Sequence, residues 1–376
     1  MNKPSRILFI DYLRGLAVIV MIEVHVVNAF LKTEIRENWW FEIVNYINGL
    51  VAPSFLFITG FAFAITLERK WDDYLQFNRV LIKQIQRILQ IWIIGYLLHL
   101  PYFSYRKIFF EMTETAKINF FKVDVLHCIA ISLIILIIMV LILRNKNLFL
   151  KVSIFISLVL IFLSPIVWNY SFKNLPTIIA MYLNTEQGSL FPIFPWMGFV
   201  FMGVVVAFNY LKHKNDNLYF NKVIYKSIAI IIVTVFLKII LGAYFATHYN
   251  FRTSPNFFFQ RVAIVTLLLG IFGLIESKNK LRNSFINISG SESLIIYSVH
   301  LMVIFGLFFN EKSLAFIIGK TQNFGTTILW SIELIALMVA LAYLWHFIKN
   351  KSMVYARVIQ YSFLIVALYI FINRRF

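Results

Sequence analysis

Apolar runs of about twenty residues recur along this chain from one end to the other, and no other feature narrows its possible folds so far. In the hydrocarbon of a bilayer a backbone must satisfy its own N–H and C=O groups, and an α-helix does so within a single segment. Runs near 7–30, 46–68, 83–104, 123–143, 149–168, 190–210, 223–246, 256–275, 285–309, 324–348 and 355–373 are each long enough to cross. The expected fold is therefore all-α, a polytopic integral membrane protein of about eleven transmembrane helices. The first run carries Asp11, Arg14, Glu23 and His25 and has no small-x-small cleavage site behind it. It stays as helix 1 and is not a signal peptide.

Of the 376 residues only 14% are charged, about half the share of a soluble domain. A formal charge of +18 would suggest a nucleic-acid partner in a soluble protein, but here the cations sort by loop, which excludes that class. With the N-terminus cytoplasmic, 20 of the 35 Lys and Arg residues fall on the cytoplasmic side, from Lys3 and Arg6 through Lys280 and Arg282 to Lys349, Lys351 and Arg357. Twelve, including Lys32, Arg36, Arg252, Lys312, Lys320, Arg374 and Arg375, fall on the other. The positive-inside bias predicts N-in and C-out, with Phe376 across the membrane. The single cysteine, Cys128, lies in an apolar run, so there is no internal disulfide and no thiolate metal site. No soluble domain, linker or short repeat interrupts the chain, and residues 1–376 read as one membrane domain.

Function has to be read from polar groups inside apolar helices, where an ionisable side chain is costly and has a partner or a task. Arg14 and His25 are eleven residues apart, which at ~100° per residue returns to within about 20° of one face with a rise of about 16 Å. The pair suits a ligand with an anionic head toward the cytoplasm and a long arm reaching a reactive end, the shape of coenzyme A. The competing reading pairs Arg14 with Asp11 at i, i+3. By counting along each helix, His99, Asp124, His127 and His300 come to roughly the depth of His25, about 22–27 Å from the cytoplasmic face. Ser293, Tyr297 and His300 share one helix face at i, i+4, i+7. An imidazole titrating near neutrality can take a proton from an amine or hydroxyl and return it to a leaving thiolate, the acid/base work of acyl transfer. The histidines lack a local H-x-x-x-H motif, and no metal is expected. The rival reading is a proton-coupled transporter or flippase.

These residues sit in blocks with a familiar order: RILFIDYLRGLAVIVMIEVH (6–25), GLVAPSFLFITGFAFA (49–64), FKVDVLHCIAISL (121–133), FPIFPWMGFVFMG (191–203) and GSESLIIYSVHLMVIFG (290–306). Together they resemble the transmembrane acyltransferases of the heparan-alpha-glucosaminide N-acetyltransferase type. The Arg14-x10-His25 pair looks like the hallmark of the wider acyltransferase-3 superfamily. The resemblance implies transfer of an acetyl group from cytoplasmic acetyl-CoA to a glycan amine or hydroxyl on the non-cytoplasmic side. Eukaryotic members have asparagine where His25 stands and a catalytic histidine in the loop that follows, whereas residues 31–45 here contain none. Either His25 takes over that role or the activity is not retained. The expected acceptor is a cell-envelope saccharide and the expected location is a multi-pass protein of the plasma membrane, the inner one in a bacterium.

On this reading His25 and His300 are the catalytic candidates, Asp11 and Arg14 meet the donor, and Asp124, His127, Trp196, Ser293 and Tyr297 meet the acceptor. Pro192, Pro195 and Trp196 equally suit a helix start anchored at the interface. Pro53, Ser54, Thr59 and Gly60 suit close helix packing. Arg261, Lys238, Glu292 and Glu333 are intramembrane charges of unknown partnership. Self-association is left open.

Overall fold

The computed structural model describes residues 7–248, 250–278, 281, 284–306 and 313–374. Lys3, Arg6, Lys280, Arg282, Lys312, Arg375 and Phe376, which entered the topology argument, lie outside them. Eighteen helices follow in chain order: α1 (Leu8–Phe30), α2 (Trp39–Asn48), α3 (Val51–Arg69), α4 (Trp71–Leu75), α5 (Arg79–Leu98), α6 (Tyr105–Phe110), α7 (Glu114–Phe121), α8 (Val125–Leu143), α9 (Lys146–Asn169), α10 (Thr177–Leu183), α11 (Ile193–His213), α12 (Tyr219–His248), α13 (Pro255–Ser277), α14 (Phe285–Ser291), α15 (Ser293–Phe305), α16 (Leu314–Ile318), α17 (Phe324–Lys351) and α18 (Met353–Asn373). The chain is an all-α polytopic membrane protein.

Among the described residues nine stretches are long and apolar enough to cross, α2 and α3 together forming one, and α14 with α15 makes a tenth if that bent pair is one span. The run expected at 83–104 is α5, which carries Lys83, Gln84, Gln86, Arg87 and Gln90 and is not among the nine. The run expected at 285–309 as one straight helix is broken at Glu292, with an 87° bend between α14 and α15. Hydropathy averaged over a span does not register that break, because the apolar run from Leu294 onward outweighs Asn287, Ser289, Ser291 and Ser293.

Two compact units emerge. One comprises Ala52–Gly95 and Phe121–Leu281. Within it α3 and α11 cross at backbone contact: a Cβ at Gly60 would lie 1.8 Å from the Val200 carbonyl oxygen, and one at Gly203 would lie 2.0 Å from that of Phe57. Only glycine permits such an approach, and with no hydrophobic drive between helices in lipid, close van der Waals contact supplies much of the adhesion. At the start of α11, Phe194 is non-helical, and Trp168 Nε1–H of α9 donates to its freed carbonyl at 2.7 Å.

The other unit comprises Met1–Val51, Tyr96–Phe120 and Arg282–Phe376. Its centre is α1, packed against α14, α15 and α17. Here too the backbones touch, with a Cβ at Gly15 falling 1.8 Å from Ile286 O and one at Gly290 falling 2.1 Å from Asp11 O. The far end of α1 is tied down twice. Lys32 N–H donates to Gln322 O at 3.0 Å and Gln322 N–H to Phe30 O at 2.9 Å, while Arg36 Nη2 donates to Val27 O at 2.7 Å. A cation on the carbonyl end of a helix satisfies orphan acceptors and opposes the helix dipole.

In an open helix interior Gly→Ala stabilises by about 1 kcal/mol. Overlap with the Val200 backbone reverses the sign at Gly60, so Gly60→Ala should lose about 1–3 kcal/mol. Thermal unfolding in detergent, with Gly242→Ala as the open-space control, measures this; equal stability of the two variants would contradict the packing.

Candidate active site

α1 and α15 bring two imidazoles into contact. His25 and His300 have ring centroids 5.0 Å apart, and His25 Nδ1 lies 3.2 Å from His300 Nε2. His300 is fully buried. Its Nδ1 lies 2.7 Å from Ile296 O, and His25 Nδ1 lies 2.8 Å from Met21 O. A carbonyl only accepts, so the hydrogen-bond network assigns the protons: His300 carries one on Nδ1 and leaves Nε2 bare. That lone pair needs a donor, and His25 Nδ1–H supplies it while also facing Met21 O as a shared bond. The consequence is a single neutral tautomer of the pair, with the lone pair of His25 on Nε2. Tyr297 stacks edge-on against His300 at 5.9 Å and Phe305 against His25 at 6.3 Å. Ser293 heads the same helix.

Nearer the start of α1, Arg14 Nη1 lies 3.8 Å from Asp11 Oδ1, with the carboxylate buried and the guanidinium about a quarter exposed. α14, not α15, covers this end through Gly15 and Gly290. The partners of Glu292 are also clear: His346 Nδ1 donates to its Oε1 at 3.1 Å and Lys349 Nζ to its Oε2 at 2.5 Å, both from α17. Stranding the buried Glu292 carboxylate costs about 3–5 kcal/mol, whereas His346 and Lys349 are partly exposed and cost less to leave alone. His346 was missed by sequence reasoning; its i, i+3 spacing from Lys349 near the C-terminal end of a span was the available signal.

Asp124 and His127 lie in the other unit and hold each other. Asp124 is the N-cap of α8, its Oδ1 accepting from Leu126 N at 2.8 Å, His127 N at 3.2 Å and His127 Nδ1 at 2.8 Å. The fully buried His127 ring lies so close to α5 that a Cβ at Gly95 would come within 2.8 Å of it. Trp196 is buried against Phe191, Phe199 and Phe257, and no hydrogen bond to its Nε1 forms among the described residues. Arg261 lies 5.2 Å above the Phe257 ring. The candidates thus fall into a set on α1 and α15 and a second set in the unit of α8 and α11. Of the four histidines expected at one depth, His25 and His300 meet, His99 belongs to their unit, and His127 is occupied in a helix cap.

The heparan-alpha-glucosaminide N-acetyltransferase catalytic-domain family matches residues 6–236. The chain belongs to this family. It is a multi-pass membrane protein of an acetyltransferase family. No curated protein matches it. Asp11, Arg14, His25, Asp124, His127 and Trp196 of this acetyltransferase-family chain fall inside the matched segment. Ser293, Tyr297 and His300, in the fifth of the resembling blocks, fall beyond it; geometry places His300 beside His25 and Tyr297 beside His300.

The capping box separates two roles for Asp124. Asn retains a capping oxygen and Ala does not, so Asp124→Ala should lose about 1 kcal/mol of stability and Asp124→Asn much less. Melting temperatures compared with turnover decide the matter. A stable Asp124→Asn protein with full turnover leaves capping as the role of Asp124, whereas a stable but inactive one assigns it to the acceptor.

Proposed function

We propose that this chain moves an acetyl group from cytoplasmic acetyl-CoA to an amine or hydroxyl of a cell-envelope saccharide on the non-cytoplasmic side, the N-terminus being cytoplasmic and the whole chain serving as one acyltransferase domain. The observation that carries this reading is the His25–His300 pair, which leaves His25 Nε2 as an oriented proton acceptor on the helix that also bears Arg14. Acetyl-CoA supplies an activated thioester with a good leaving group. His25 Nε2 takes the proton from the neutral amine or hydroxyl as its lone pair forms the new N–C or O–C bond. The C–S bond breaks, sulfur leaves with the electron pair, and His25 returns the proton to it. His300 accepts from His25 Nδ1–H and steadies the imidazolium, as a carboxylate does in a hydrolase triad. Arg14, with Asp11 holding its guanidinium, meets an anionic or amide group of the donor. Ser293 and Tyr297, on the helix face of His300, are assigned to the acceptor.

The break at Glu292 favours a second reading, since transporters build midplane sites from discontinuous helices. Glu292 fills that break with ion pairs of its own, and the family is one of acetyltransferases. Substrate counterflow by purified protein in vesicles without acetyl-CoA would support transport.

Acetyl transfer from labelled acetyl-CoA by the purified protein is the direct test. His25→Ala should bind acetyl-CoA near normally yet lose about 10²- to 10⁴-fold in turnover, and His300→Ala should lose less. Arg14→Ala should instead weaken acetyl-CoA binding with the fold intact. Wild-type turnover by His25→Ala would overturn the mechanism.

A further inference from the structure

The Glu292–His346–Lys349 cluster has no part in the chemistry just described, yet it stands at the one joint on which that chemistry turns. α14 is held against α1 by backbone contact at Gly15 and Gly290. α15 leaves it at 87°, and Glu292 is the single residue between the two helices. Its N–H closes α14 on Ile288 O at 3.0 Å, and its carbonyl opens α15 by accepting from Ile296 N at 3.3 Å. A hinge of one residue has only that residue's φ and ψ to fix its angle. The nearly fully buried carboxylate reaches across to α17, where two donors one turn apart, His346 and Lys349, take one oxygen each. Apolar packing along a helix permits small tilts, whereas a carboxylate gripped at both oxygens is directional.

His300 lies eight residues beyond the hinge, about 12 Å along α15. A swing of about 5° over that arm moves it by about 1 Å. The His25–His300 separation of 3.2 Å would then exceed 4 Å, which is no longer a hydrogen bond. With that bond lost, His25 Nδ1–H would keep Met21 O as its acceptor and lose the lone pair of His300 that steadies a charge on the ring.

We propose that Glu292, held by His346 and Lys349, is a positioning residue that sets the direction of α15 so that His300 Nε2 stays within hydrogen-bond reach of His25 Nδ1–H. The catalytic consequence rests on His25 being the base; the structural one does not. The test therefore reads both on the full-length protein in detergent. Glu292→Gln, and Glu292→Gln with Lys349→Met to remove the stranded cation, are compared with wild type in acetyl transfer and in the ¹⁵N spectrum of labelled imidazoles. Wild type should show His300 Nε2 as a hydrogen-bonded acceptor beside His25 Nδ1–H, and both variants should show the His300 Nε2 signal shifted toward that of an unbonded imidazole nitrogen. kcat should fall about tenfold while the KM for acetyl-CoA changes less than about twofold. In a His300→Ala background Glu292→Gln should cost nothing further, because the two act through one contact.

If Glu292→Gln alone does not fold, the double variant is read in its place. A folded variant with wild-type kcat and an unchanged His300 Nε2 signal would overturn the proposal and leave the cluster a stabilising ion pair. An altered His300 Nε2 signal with unaltered turnover would instead support the positioning and defeat the assignment of His25 as base.

Discussion

Where α1 meets α14, no side chain separates the backbones at Gly15 and Gly290, and the rest of the unit is arranged around that contact. In lipid, two helices gain nothing by hiding apolar surface, so adhesion comes from close approach. An approach this close leaves no room for α14 to continue straight alongside α1 with side chains of ordinary size. The chain turns at Glu292 instead and returns as α15, so that His300 meets α1 again at His25. α1 is thereby gripped at Gly15 and at His25, ten residues or about 15 Å apart. Its far end is fixed by Arg36 and Gln322. A helix held at three levels carries its polar groups at set heights, and on the function proposed above that fixed spacing is the ruler between the two ends of the donor.

Much of this was legible in the sequence, and the part that was not has physical reasons. Long apolar runs announce spans because the bilayer penalises every alternative, and the Arg14–His25 face follows from the helical repeat alone. Gly60 read correctly as a packing glycine because it stands among small residues in an apolar run. The break between α14 and α15 was not legible. Its cause is a contact between residues some 275 apart and a carboxylate whose partners lie 54 and 57 positions away on α17. Asp124 and His127 illustrate the opposite failure: Asp followed three residues later by a side chain that can bond back, just ahead of an apolar run, is a helix start signal. The functional interest of the two residue types obscured it.

A bilayer also explains why two histidines rather than a histidine and a carboxylate stand at the centre of this unit. An ionised carboxylate must recover its lost hydration from partners, and in an apolar interior that demands a second charge and several donors. Glu292 shows how much is needed, since it takes both a lysine and a histidine to hold it. A neutral imidazole accepts the same hydrogen bond through its lone pair at far lower desolvation cost. His300 in turn is anchored by a backbone carbonyl of its own helix one turn back, which asks for no further partner.

That economy has a consequence for how the proton is handled. In a carboxylate-backed dyad the imidazolium is stabilised by a full opposite charge, which raises the basicity of the histidine and slows its release of the proton. On the mechanism proposed above, the neutral His300 stabilises the imidazolium less than a carboxylate would, and the proton returns to sulfur more readily. Acyl transfer from a thioester favours this balance, because the leaving thiolate is only moderately basic and proton return must keep pace with C–S cleavage. A neutral pair also adds no net charge to the membrane interior when idle. On that mechanism the proton borrowed from the acceptor is the only charge placed on the pair, and only while the new bond is forming.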